Sequence, residues 1–186
     1  KDGLVVLNDR PINAETPAHL LDDKVTPASK LFVRNNGIVP EITPTDFDEN
    51  AWTLTIEGES AAASRTFTLS ELKANFKHYT YQLTLECGGN GQRLFHGLIG
   101  NARWRGVSLA KILEEAGIQD GAKEIVFFGT DIQTETIRER EVEKAFARSL
   151  SIDDAMRPEN MLAFEMNGEP LPHYHGKPVR ALIPGW

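Results

Sequence analysis

Polar and apolar residues alternate over 52–57, where Trp52, Leu54 and Ile56 interleave with Thr53, Thr55 and Glu57. They alternate again over 81–86, where Tyr81, Leu83 and Leu85 interleave with Gln82, Thr84 and Glu86. A period of two predicts half-buried strands in both places, the first closed by Gly58 and the second by Cys87. Short apolar runs over 125–128, 161–166 and 179–183 predict three more strands, of which 125–128 reads as a buried one. Thr68 stands three residues ahead of Glu71, a capping box that predicts a short helix over 69–76. Behind Ser108, residues Leu109, Ile112, Leu113 and Ala116 fall at i, i+3, i+4 and i+7, and Gly117 ends that helix. The stretch 135–148 is dense in charge and reads as a solvated helix or an insertion. Pro11, Pro17 and Pro27 punctuate 1–30, which reads as an extended arm lying on a domain of 31–186. Short strands, short helices and long loops make the class α+β, with mixed sheets.

Composition narrows the function more than the fold. A chain of 186 residues, 40% hydrophobic and 25% charged, suffices for one domain with a sizeable core, or one domain and a piece of another. Its formal charge of −7 argues against a general binder of nucleic acid or anionic membrane. Any anion recognised here must therefore meet local cations. No stretch approaches the roughly 18 apolar residues of a membrane span, and Lys1-Asp2-Gly3 opens no signal-peptide pattern, so an exported form would have lost its leader already.

The chemistry gathers around the single cysteine. Cys87 stands at a predicted strand end, followed by Gly88, Gly89 and Gly91, residues free to take positive φ and to turn successive N–H groups toward an anion. A thiolate suits a soft metal. Arg34 follows the apolar triplet Leu31-Phe32-Val33 and precedes Asn35-Asn36-Gly37, a position that favours a loop pointing into a pocket. Arginine's planar fork gives an oxyanion two charge-assisted hydrogen bonds. Trp104 fits a pocket wall or the core equally well. His173 and His175 lie one residue apart, but a second cysteine to complete a common zinc set is missing; His173 reads as solvent-facing.

Four segments in order make the chain resemble the molybdenum-cofactor domain of the sulfite oxidase family, and within it the bacterial periplasmic sulfite dehydrogenases. They are Phe32-Val33-Arg34-Asn35-Asn36, Cys87-Gly88-Gly89-Asn90, Asn101-Ala102-Arg103-Trp104, and Glu165-Met166-Asn167-Gly168-Glu169-Pro170-Leu171-Pro172 with His175-Gly176-Lys177-Pro178-Val179-Arg180. The resemblance implies a sulfite-oxidase-type molybdopterin-binding fold that stops short of the family's C-terminal dimerisation domain. It implies that Cys87 binds molybdenum, that Arg34, Asn36, Asp131, His175 and Arg180 hold the pterin or its phosphate tail, and that Arg34 and Trp104 shape the oxyanion pocket. The family often carries an arginine five residues after the cysteine; Gln92 stands there, and Arg93 one step later would serve instead.

The implied activity is oxidation of sulfite to sulfate, in the periplasm, by an enzyme that is a homo-oligomer at full length. With no Cys-x-x-Cys-His, no covalent c-type haem is carried, and a separate cytochrome c is the expected acceptor. Three alternatives stay open: the same cofactor reducing methionine sulfoxide or nitrate, a cofactor-free anion-binding fragment, and a hydrolase using Cys87 and His175.

Overall fold

In a computed structural model the described residues are 3–41, 47–91 and 95–186. Gln92, Arg93 and Lys1-Asp2 lie outside them. The chain opens with a hairpin of β1 (Val5–Asp9) and β2 (Ile12–Glu15), followed later by a second hairpin of β3 (Thr53–Ile56) and β4 (Arg65–Thr68). The alternation over 52–57 thus marks a strand, and Gly58 leaves it at φ +143. Thr68 caps α1 (Leu69–Asn75) through the reciprocal bonds its sequence promised: Glu71 N–H donates to Thr68 Oγ1, and Thr68 N–H donates to the Glu71 carboxylate.

The central sheet is antiparallel. Strand β5 (His78–Glu86) pairs with β6 (Ile99–Ser108), which pairs with β9 (Met161–Met166). Along the far edge of β9 run β10 (Glu169–Pro170) and β11 (Arg180–Leu182). Ser108 caps α2 (Leu109–Glu115), whose Ile112 and Leu113 are buried, and Gly117 follows at φ +74. Val107 and Leu162, opposite one another, face α1 and α2 in one apolar cluster. Trp104 and Met166, also opposite, face the other way and pack with Leu31, Ala102, Met161, Ala163, Leu171 and Leu182. One sheet therefore separates two cores. Gly106 lies where a methyl group would overlap the Leu162 carbonyl and come 2.6 Å from Ala163 Cα, so β6 and β9 meet there only because no side chain intervenes. Gly106→Ala is expected to cost about 1–3 kcal/mol, the range for overpacking, read as a lower denaturant midpoint at unchanged slope.

Two expectations need correction. The charged stretch 135–148 is solvated, as expected, but it is not a helix. It is the outer half of a ribbon of β7 (Glu124–Ile137) and β8 (Arg140–Ser151), turning through Arg138 and Glu139 at φ 49 and 66. Both faces of its tip are wet, so the sequence shows no contrast of period two. The run 125–128 belongs to the same ribbon and is not a buried strand: Ile125 and Phe127 are half-buried, whereas Phe128 is 74% exposed. Helix α3 (Ile152–Ala155) follows β8.

The arm expected over 1–30 is also more than a surface strap. Ala14 exchanges both backbone bonds with Val33, at 2.9 and 2.8 Å, and Ala14, Thr16 and Thr26 are buried. Among the described residues no helix is long and apolar enough to cross a membrane.

Candidate functional site

Cys87 leaves the end of β5 with its N–H donating to the Leu98 carbonyl at 2.9 Å, so the thiol stands at the mouth of the loop joining β5 to β6. Asn90 ties that loop shut. Its N–H donates to the Cys87 carbonyl at 2.8 Å, its Nδ2 donates to Glu86 Oε1 at 2.8 Å, and its Oδ1 accepts from Leu98 N–H at 3.0 Å. Cys87 is half-buried, not sealed. Of the three following glycines only Gly91 takes a positive φ, +76. Among the described residues, a Cβ on Gly88 or Gly91 would meet nothing within 4 Å, and one on Gly89 would meet only Cys87 Sγ, at 3.9 Å.

Arg34 is exposed, and its Nη1 donates to the Asn35 carbonyl at 2.6 Å and to Asn13 Oδ1 at 3.2 Å. Asn35 is held in turn: its N–H donates to Asn13 Oδ1 at 2.6 Å and its Nδ2 to the Ile12 carbonyl at 2.7 Å. Asn36 is exposed beside it. Ile38 N–H donates to the Ile132 carbonyl at 3.1 Å, and a Cβ on Gly37 would lie 2.7 Å from that same oxygen. The Arg34–Asn36 loop therefore runs against the irregularity of β7 that carries half-buried Asp131.

Trp104, His175 and Arg180 form a second group. Trp104 is fully buried within the core on its face of the sheet, yet among the described residues its indole Nε1 has no hydrogen-bond partner. Arg180 lays its guanidinium over that indole, 5.2 Å from the ring centre, and donates from Nη1 to the carbonyl of buried His175 at 3.1 Å. Gly176, at φ +97, makes the bend that brings His175 back onto Arg180. Burial pulls the Arg180 guanidinium down to about 10. No carboxylate among the described residues pairs with it. A desolvated cation beside an unspent N–H donor fits an anion or an acceptor-rich ring, whose oxygens or nitrogens would satisfy both.

Of the sequence-predicted residues, Arg34 and Asn36 share a loop that runs against the β7 irregularity carrying Asp131, Cys87 stands on the β5–β6 loop, and Trp104 groups with His175 and Arg180. Leu31, packed with Trp104, stands three residues ahead of Arg34. His173 is half-buried, its ring edge-on to Tyr174 at 5.0 Å. No group of three or more His, Cys, Asp or Glu among the described residues is arranged to hold a metal ion. Reasoning from sequence missed the residues that join these parts: Asn13 and Glu15 on β2, Thr26, and Asn167, whose side chain spans from Arg103 N–H to the Thr26 carbonyl. Ile12-Asn13-Ala14-Glu15 does alternate, between Pro11 and Pro17, over only four residues.

Residues 39–186 match the family described as the oxidoreductase molybdopterin binding domain. The mitochondrial sulfite oxidase of Drosophila melanogaster is 35% identical over 95% of this chain and 31% of its own length. The human mitochondrial sulfite oxidase is 34% identical over 98% of this chain and 34% of its own. An inducible NADH nitrate reductase of Glycine max is 34% identical over 95% of this chain and 21% of its own. The chain thus spans about a third or less of these relatives. In three dimensions it is similar to the sulfane dehydrogenase SoxCD from Paracoccus pantotrophus, with a TM-score of 0.78 and 28% identity over 97% of this chain and 45% of that one.

Proposed function

Since this chain belongs to the oxidoreductase molybdopterin-binding domain family, we propose that it is the cofactor-binding part of a longer molybdenum enzyme that oxidises sulfite to sulfate. The observation that carries the reading is the half-buried Cys87 on its glycine loop, with the Arg34 loop fastened to the returning limb of that loop through β2. When bound, the molybdenum cofactor would supply the oxygen-atom transfer and take up the two electrons that sulfite gives as it becomes sulfate. Cys87 would be the protein's thiolate ligand to the metal. Arg180, with Trp104 Nε1 and the buried His175, would hold the pterin or its phosphate, exchanging a costly bare cation for a charge-assisted pair. Asn36 and Asp131, on adjoining segments, would bind polar edges of the same group.

Arg34 would receive the substrate. Both of its hydrogen bonds run through Nη1, and among the described residues Nε and Nη2 hold none, so one edge of the fork is available to an oxyanion. Arg93 is proposed to add a second cation. Electrons would leave singly to a separate cytochrome c, in the periplasm, and the full-length enzyme would be a homo-oligomer. Full-length protein matured with cofactor is expected to carry stoichiometric molybdenum and to reduce ferricyanide with sulfite. Molybdenum at background level would overturn the reading. The similarity to nitrate reductases favours one competitor, in which the same site reduces nitrate; activity with nitrate and a reduced dye but none with sulfite would select it.

A further inference from the structure

We propose that Asn13 and Glu15 are positioning residues, and that β2 sets the span between the oxyanion-binding Arg34 and the Cys87 loop. The proposal rests on the sulfite reading for what the span serves, and on hydrogen bonds alone for its existence. Along one edge of β2, Ala14 pairs with Val33 and then Thr16 N–H donates to the Gly97 carbonyl at 2.9 Å. The Arg34 segment and the returning limb of the cysteine loop are therefore laid end to end on a single strand, about 7 Å apart by the two-residue repeat. Gly97 is the contact point: a methyl group there would overlap the Thr16 backbone.

The side chains of Asn13 and Glu15, two residues apart on one face of β2, fasten the same two segments. Asn13, 9% exposed, accepts through Oδ1 from Arg34 Nη1 and Asn35 N–H. Glu15 Oε2 accepts from His96 N–H and Gly97 N–H, both at 3.2 Å. One residue further, the Leu98 carbonyl receives Cys87 N–H. The two ends differ in charge for a reason. A carboxylate at 15 answers only backbone donors, whereas a carboxylate at 13 would reach the same donors but neutralise the guanidinium that the substrate needs. A neutral amide orients Arg34 and leaves its charge unspent.

The test uses the full-length holoprotein and three variants, with steady-state kinetics and amide hydrogen exchange on each. Asn13→Ala is expected to raise the KM for sulfite about tenfold or more with kcat little changed, the loss of one hydrogen bond to a charged group, and to speed exchange at Asn35 N–H. Asn13→Asp keeps the acceptor, so Asn35 stays protected while KM still rises. Glu15→Ala should speed exchange at His96 and Gly97, and Glu15→Gln should restore protection. Unchanged KM in both Asn13 variants, or unchanged exchange at Asn35 in Asn13→Ala, would overturn the proposal. A parent enzyme inactive with sulfite would refute the activity proposed above, while the exchange rates would still judge the brace.

Discussion

Cys87→Ser should all but abolish turnover and leave the fold where it was. The side chain is half-buried and belongs to neither apolar core, and the bonds that shape its loop are made by its backbone and by Asn90. Exchanging sulfur for oxygen should therefore move stability by no more than about 0.5 kcal/mol. Activity is another matter, because serine is a hard, poorly ionised donor for a soft metal. Losing an outer partner of a metal ligand commonly costs 10–100-fold, so losing Cys87, the proposed ligand, should cost more than about 100-fold. Sulfite–ferricyanide turnover and the denaturant midpoint, measured on one preparation, decide the matter. A serine variant that keeps the parent's rate would remove Cys87 from the chemistry.

Arg180→Met should act in opposite directions on the empty and the loaded protein. Without an anion, Arg180 is a half-buried cation whose partners among the described residues are one carbonyl and one indole face, and methionine fills similar space at no charge. The cofactor-free variant is expected to be at least as stable as the parent. Stabilisation by phosphate or pyrophosphate, expected of the parent, should vanish. The pH dependence has a definite sign. Below about pH 10 the folded parent carries the full desolvation cost. As pH rises through that value the folded state gives up its proton while the unfolded chain keeps one. The unfolded state then binds more protons, and stability rises with pH. The methionine variant should lack that rise. If it is less stable when empty and still responds to phosphate, Arg180 is a structural residue and not an anion holder.

How far the sequence disclosed all this depended on where each segment buries its contrast. Helices α1 and α2 and strand β3 each set one buried pattern against a solvated pattern or a cap, β9 showed as a continuous apolar run, and these positions were legible to within a residue or two; β5 alternates as expected but begins three residues earlier, at His78. The β7–β8 tip has water on both faces, so charge density was its only visible signal and pointed to the wrong structure. Of the site, Cys87, Arg34, His175 and Arg180 stood out through the motifs that carry them. Trp104 could not be decided from sequence, and the structure gives it both attributes: buried like a core residue, it carries a guanidinium on its face and an idle N–H on its rim. Asn13 and Glu15 escaped notice because their partners lie some twenty and eighty positions away. Such pairings leave no local trace.

The β1–β2 hairpin bears on where this molecule could be cut. The recurring family sequence begins downstream of β2, yet Val33 is sealed against Ala14, and Leu31 plugs the core beneath Trp104. An excised piece starting at that downstream border would shed a wall of its own interior along with Arg34. A piece that keeps this interior therefore has to begin at or before β2.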